Sequence, residues 1–466
     1  MIEIRKGVLP VMIIGLLVCI GVGWGVTHVW RTNAEHSIDS VVLLVHGMTL
    51  DNEDGTHCWG RLQHNAEGQN EWTGMIGRLQ QEGLRFGGII RARGPELRLP
   101  ESLNTLGVAG EPQSARLFCL EFSSAANTDG LAYKAIELAA CLKAIREYSG
   151  CGKVRIVAHS AGGMAARTYL QGALPGIPYR GDIDRLITIA TPHLGAAMAT
   201  HLGDLLATRA TSLRPDAELI HNLNQFDLPT DVRFASIVVR GIAADVHGSG
   251  NAYLDQADQE TLTGLPVDFQ QGGDDIVHVI SQNMRLARCA RRYEKASGRP
   301  ILAPVCRVPR PPVNRILSIA STVHSAAPSD PGVQDWVVRL LTADDRWTIP
   351  APEILAKWQQ EQARQCAFSA VEESVLETHP LYEVLHIDVD TLESQGMDGT
   401  VCRYHFRGTA RSGLRVVGRI AQRLGNNGGV RVVPVEGQLR LTFDRFGRIT
   451  GCAPNIARAT EDSFSQ

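Results

Sequence analysis

No charge of one sign dominates this 466-residue chain: 46 lysines and arginines stand against 49 aspartates and glutamates, a formal net charge of -3. That balance removes the electrostatic case for a nucleic-acid partner, which needs a basic surface to meet the phosphates. No C-x-x-C pair occurs among the ten cysteines, and no spacing among them matches a metal-ligand set. No segment repeats at a fixed period, which argues against a solenoid or propeller. What is present is ordinary globular material, 44% hydrophobic and 20% charged. That composition supplies a sizeable core, and the length suggests more than one domain.

The N-terminus departs from this average. Arg5 and Lys6 precede an uncharged apolar segment from Gly7 to about Trp30. About 20 apolar residues suffice to cross a bilayer as a helix. A secretory signal has a shorter apolar region and a small-x-small cleavage site, and no such site follows Gly25. Basic residues on the N-terminal side keep that end cytoplasmic. The expectation is an uncleaved signal anchor over residues 1–31, with a cleaved signal peptide or a buried soluble helix as alternatives. The body would then lie outside the cytoplasm, where disulfides are permitted. Cys289 and Cys306, in a basic insertion over 283–312, are the pair to expect.

From residue 41 the apolar pattern alternates between strand-length runs and helical spacing. Strands are expected at 41–45, 88–92, 116–122, 154–159, 183–190, 234–240 and 315–320. Helices are expected at 72–84, 131–148, 164–171 and 333–341, with 196–229 mostly helical as core or as a lid. Alternating strands and helices imply crossover units and a mostly parallel sheet covered on both faces, an α/β fold. From Pro350 the character changes. A helical stretch over 352–376 is followed by alternating segments at 402–406, 414–420 and 438–443, with a turn signal at Asn426, Asn427, Gly428 and Gly429. The division expected is an anchor at 1–31, an α/β catalytic domain at 32–346, and a small α+β C-terminal domain or extension at 347–466.

One turn organises the chemistry. The run Val154-Arg155-Ile156-Val157-Ala158-His159 leads into Ser160 and then Ala161-Gly162-Gly163, a strand, a tight turn and a helix with the serine at the apex. Such a turn needs small neighbours, because helix and strand pass close together. A serine hydroxyl is a poor nucleophile near neutrality and needs a base, which in turn needs an acid to orient it. His324 follows the last expected strand, where loops present catalytic groups. Asp274 is the preferred acid, and Asp275 and Asp245 remain topologically possible. His46-Gly47-Met48, after the first strand, sits where a backbone N–H could meet the reacting carbonyl oxygen.

Together these segments resemble the α/β-hydrolase lipases and esterases, in particular the secreted bacterial lipase-like group. The buried strand followed by H-G matches 41–47, A-H-S-x-G matches 158–162, and T-P-H-x-G matches Thr191-Pro192-His193-Leu194-Gly195. The family's G-D-G-x-V is similar to Gly273-Asp274-Asp275-Ile276-Val277, with Asp275 standing where a glycine is usual. Its terminal histidine resembles Val323-His324-Ser325. The resemblance covers 41–341 and implies Ser160 as nucleophile, His324 as general base, Asp274 as orienting acid, and an oxyanion hole from the amides of Met48 and Ala161. His193 is implied as structural. Some relatives carry a structural calcium; the aspartate they place after the histidine is matched only by the displaced Asp330. No cofactor is implied.

The expected activity is hydrolysis of carboxylic esters through an acyl-enzyme, on a lipid or other acyl-ester substrate, at a membrane reached through the N-terminal helix. An acyltransferase with the same triad is one alternative. A non-catalytic membrane-tethered scaffold of hydrolase shape is the other.

Overall fold

The computed structural model describes residues 40–48, 55–65, 68–94, 96–104, 116–201, 211–241, 272–309, 322–342, 347, 359–360, 362–364, 366–368, 370–371, 382–398, 401–414, 430–443 and 449–457. The expected anchor, the strand at 315–320, the turn at 426–429 and Asp245 lie outside the described residues. Among the described residues no helix is long and apolar enough to cross a membrane.

The apolar runs become strands β1 (Val42–Val45), β2 (Leu62–His64), β3 (Asn70–Trp72), β4 (Phe86–Arg93), β5 (Glu96–Arg98), β6 (Leu117–Glu121), β7 (Val154–His159), β8 (Ile183–Ile189), β9 (Arg233–Gly241) and β10 (Val305–Val308). β2 and β3 form a small hairpin, and the other eight make one sheet in the order β10-β9-β8-β7-β1-β6-β4-β5. Its pairings are parallel except at the β4–β5 edge. Between and after the strands run helices α1 (Gly74–Gln81), α2 (Leu131–Ser149), α3 (Ala161–Leu170), α4 (Glu218–Gln225), α5 (Arg288–Ser297), α6 (Val323–Ala326) and α7 (Pro331–Thr342).

Alternation along each strand sorts side chains between two layers. Leu43, Val45, Ile156 and Ala158 pack with Ala135, Leu138 and Leu142 of α2 and with Tyr293 of α5. Val42, Leu44 and Val157 pack with Met75, Ile76 and Leu79 of α1 and with Val333, Val337 and Leu341 of α7. Both faces are therefore buried, which is why the strands read as continuous apolar runs. β1 and β7 are neighbours in register, Val45 beside Ala158, so the loop after one and the turn after the other emerge side by side.

Several sequence expectations need correction. Cys289 and Cys306 are both free thiols. Cys289 points into the α2/α5 layer and Cys306 into the α1/α7 layer, so the sheet stands between them. The expected insertion holds α5 and an edge strand, β10. Ahead of α1, residues 55–65 contribute β2, and Trp59 is fully buried against the second layer. The helix expected from 72 starts at Gly74, after β3, and α3 starts at Ala161 instead of 164.

A separate antiparallel sheet follows: β11 (Tyr382–Asp398), β12 (Val401–Leu414), β13 (Val430–Phe443) and β14 (Ile449–Ala457), paired in that order. Cys402, Tyr404 and Phe406 of β12 turn inward with Leu439 and Leu441 of β13, beneath helical residues that include Ala363, Ala367 and Val371. Arg403 and Arg407 alternate outward.

Candidate active site

Ser160 closes β7 with φ 55° and ψ -131°, a left-handed conformation rarely adopted outside glycine. Such strain costs about 1–3 kcal/mol and persists only where the surroundings over-determine it. Here Ser160 N–H donates to the Ile189 carbonyl at 2.9 Å, and Thr191 Oγ1 donates to the Ser160 carbonyl at 2.9 Å. The glycines are required by close approach. A Cβ on Gly162 would lie 2.5 Å from the His46 carbonyl oxygen, and one on Gly163 2.2 Å from Thr191 Oγ1. A Cβ on Gly47 would meet Ser160 Cβ at 2.6 Å and its Oγ at 3.0 Å. Ala158, in the place of the usual first glycine, directs its methyl into the α2/α5 layer and is accommodated there.

Ser160, His324 and Asp274 come together although they are far apart in sequence. His324 Nε2 is 2.8 Å from Ser160 Oγ, and His324 Nδ1 is 2.7 Å from Asp274 Oδ2. The His324 amide also donates to the Asp274 carbonyl at 2.8 Å, so backbone and side chain fix the same pair. Asp274 is fully buried, and its carboxylate is saturated with donors. Oδ1 accepts the amides of Ile276 (3.0 Å) and Val277 (2.7 Å), and Oδ2 accepts Gln282 Nε2 at 3.2 Å as well as the imidazole. Gln282 is in turn clamped to both the amide and carbonyl of Val239, on β9.

Asp275 follows Asp274 on the same loop. It takes φ 79°, consistent with the glycine usual at this position, and an aspartate tolerates that region better than most residues. Its Oδ2 accepts the Val323 amide at 3.0 Å, which secures the first residue of α6 beside His324.

Met48 follows Gly47 at the end of β1, and Ala161 is the first residue of α3, where amides have no acceptor within the helix. His159 is a support that the sequence did not reveal. Its Nε2 lies 3.0 Å from the His324 carbonyl, and the two rings are 4.7 Å apart. Burial first, and the neighbouring His324 second, hold His159 well below the ordinary histidine range, so it stays neutral and donates.

His193 is buried among structural partners: Thr188 Oγ1 at 3.0 Å from Nε2 and Arg167 at 3.4 Å from Nδ1. Arg167 is itself fully buried on α3, donating to the carbonyls of His193 (3.2 Å) and Leu223 (2.9 Å) and to Asn224 Oδ1 (3.1 Å). It ties the serine helix to α4. Replacing it with methionine leaves those acceptors without their donor and is expected to lower stability by about 2–4 kcal/mol. The shift in urea midpoint measures this. Asp330 caps α7, its Oδ1 accepting the Val333 amide at 3.1 Å. Among the described residues no group of three or more His, Cys, Asp or Glu side chains gathers as a metal site.

No protein-family model matches the chain. Over 109 residues, 23% of its length, it is 29% identical to a triacylglycerol lipase of Pseudarthrobacter phenanthrenivorans, and that segment covers 32% of the lipase. A triacylglycerol lipase of Burkholderia plantarii matches equally, with 29% of its length covered. The chain thus spans about a third of the length of the curated relatives it matches. A crystal structure of a Listeria innocua gene product aligns with 65% of the chain and 94% of its own, at 13% identity and a TM-score of 0.39. The parallel sheet and the strained serine turn thus stand beside a segment similar to two triacylglycerol lipases.

Proposed function

We propose that the protein is a serine hydrolase that cleaves carboxylic esters through an acyl-enzyme intermediate. The observation that carries this is the continuous hydrogen-bonded line from Ser160 Oγ through both nitrogens of His324 to Asp274. As Oγ attacks the ester carbonyl carbon, its proton passes to His324 Nε2. Asp274 accepts the Nδ1–H, which keeps the Nε2 lone pair aimed at the serine and stabilises the imidazolium. That proton then leaves with the alcohol, and water repeats the sequence to release the acid. The amides of Met48 and Ala161 receive the oxyanion, where preorganised donors give the largest single contribution in such reactions.

The segment shared with two triacylglycerol lipases supports a lipid or other acyl-ester substrate. The basic-then-apolar N-terminus supports an anchor over 1–31 with the catalytic part, 32–346, outside the cytoplasm and 347–466 as an appended module.

Turnover of p-nitrophenyl esters from acetate to palmitate tests the activity and reads the pocket. Long-chain preference marks a lipase, short-chain preference an esterase, and no turnover at any length would overturn the proposal. Gly47→Ala should lower that turnover by about a hundredfold, because its methyl displaces the serine hydroxyl from near-attack geometry. Unchanged turnover in this variant would mean that the β1 loop stands clear of the reacting serine.

A further inference from the structure

The stripe that buries α2 contains one residue that does not belong on an apolar face. Leu131, Ala135, Leu138, Leu142 and Ile145 recur at helical spacing, and Lys134 sits among them almost completely buried. A lysine there forfeits its hydration and persists only with compensating partners. Its Nζ lies 4.1 Å above the centre of the Phe122 ring and 3.3 Å from the Gly47 carbonyl oxygen. That same oxygen is 2.9 Å from His46 Nδ1. The other nitrogen of His46 accepts the Phe122 amide at 3.3 Å, which leaves Nδ1 as the donor. Two side chains from different elements thus converge on one carbonyl.

The Gly47 carbonyl and the Met48 N–H belong to one planar trans peptide, so they point in opposite directions. Holding the oxygen fixes the direction of the N–H, and a cation on the oxygen polarises the N–H toward a developing negative charge. We propose that Lys134, assisted by His46, is a positioning residue for ester hydrolysis, locking and polarising the Gly47–Met48 peptide so that Met48 N–H stabilises the oxyanion. This rests on the assignment of Met48 N–H as an oxyanion donor.

Among the described residues, ionisable groups facing the ammonium include Glu137 on α2 and His46 on the β1 loop. Glu137 is engaged by Ser123, whose amide donates to it at 3.0 Å and whose hydroxyl also bonds it. Glu121, at the end of β6, pairs with Arg91, and Arg167 on α3 is committed to His193, Leu223 and Asn224. Burial pulls Lys134 down to about 7, with the Glu137 carboxylate acting weakly the other way. The ammonium is therefore present below that pH and gives way to a neutral, weaker donor above it. Turnover should therefore carry an alkaline decline from Lys134.

The test uses the full chain as wild type, Ser160→Ala, Lys134→Met and Lys134→Arg. A fluorophosphonate titrates the reactive serine, and turnover is expressed per labelled site. Labelling that survives Ser160→Ala overturns the active-site assignment, and this inference with it. Once labelling depends on Ser160, Lys134→Met should lower kcat per labelled site about tenfold, with KM within about twofold, a fraction of the cost of deleting an oxyanion donor outright. The alkaline decline should vanish in that variant. Lys134→Arg, which holds its charge throughout, should recover much of the kcat and show no decline. A kcat within about fivefold of wild type in Lys134→Met, or a change confined to KM, overturns the inference. If Lys134→Met neither melts cooperatively nor labels, the wild type decides: a falling kcat between about pH 7 and pH 9 supports the role of Lys134, and a flat plateau overturns it.

Discussion

Ser160→Ala is expected to lower ester turnover by about 10⁶-fold while leaving the protein folded. In the proposed mechanism the hydroxyl is the nucleophile; it lies 2.8 Å from His324 Nε2, and alanine keeps the Cβ while removing it. The backbone of the turn is held from outside, by the Ile189 carbonyl, by Thr191 and by the lack of side chains at Gly47, Gly162 and Gly163. Alanine can occupy that frame, so the urea midpoint should correspond to a change of at most about 0.5 kcal/mol. Kinetics and unfolding measured on the same preparation separate loss of chemistry from loss of fold. Turnover within about a hundredfold of wild type would mean that another nucleophile does the work.

Asp274→Asn is the second large effect, about 10⁴-fold in kcat. The carboxylate is an acceptor on both oxygens, facing two amides, Gln282 and the imidazole Nδ1–H. An asparagine must turn its NH₂ toward one of these donors. If it faces His324, the ring is driven to the tautomer protonated on Nε2, which cannot accept the serine proton. If it faces the amides of Ile276 and Val277, the loop loses the contacts that shape it. Asp245→Asn, by contrast, should leave kcat within about twofold. A larger loss at Asp245 than at Asp274 would reassign the acid.

The parts of this arrangement that follow local rules are legible in the order of the amino acids. A continuous apolar run of strand length, such as 41–45, marks a strand buried on both faces, and β1 is such a strand. The roles assigned to Ser160, His324 and Asp274 follow from their places after strands, because loops at the carboxyl ends of a parallel sheet converge. What depends on the layer a side chain enters is not legible in that way. Cys289 and Cys306 share one basic insertion in the sequence, yet the sheet divides them. Gln282 gives no local signal, since its importance comes from reaching both Val239 and Asp274 across the fold. Lys134 does leave a signal, a charge three residues after Leu131 and four before Leu138 on one helical stripe. The apolar members of that stripe mask it. Asp275 shows the converse: its departure from glycine is plain in the sequence, but its hold on the Val323 amide exists only once the two loops meet.

The most direct measurement is to inactivate the full chain with a fluorophosphonate and locate the adduct by peptide mass spectrometry. A single modification on Ser160 is predicted, formed in step with the loss of ester turnover and absent after His324→Ala. An adduct on a different residue, or inactivation without any adduct at Ser160, would contradict the assignment of Ser160 as the nucleophile.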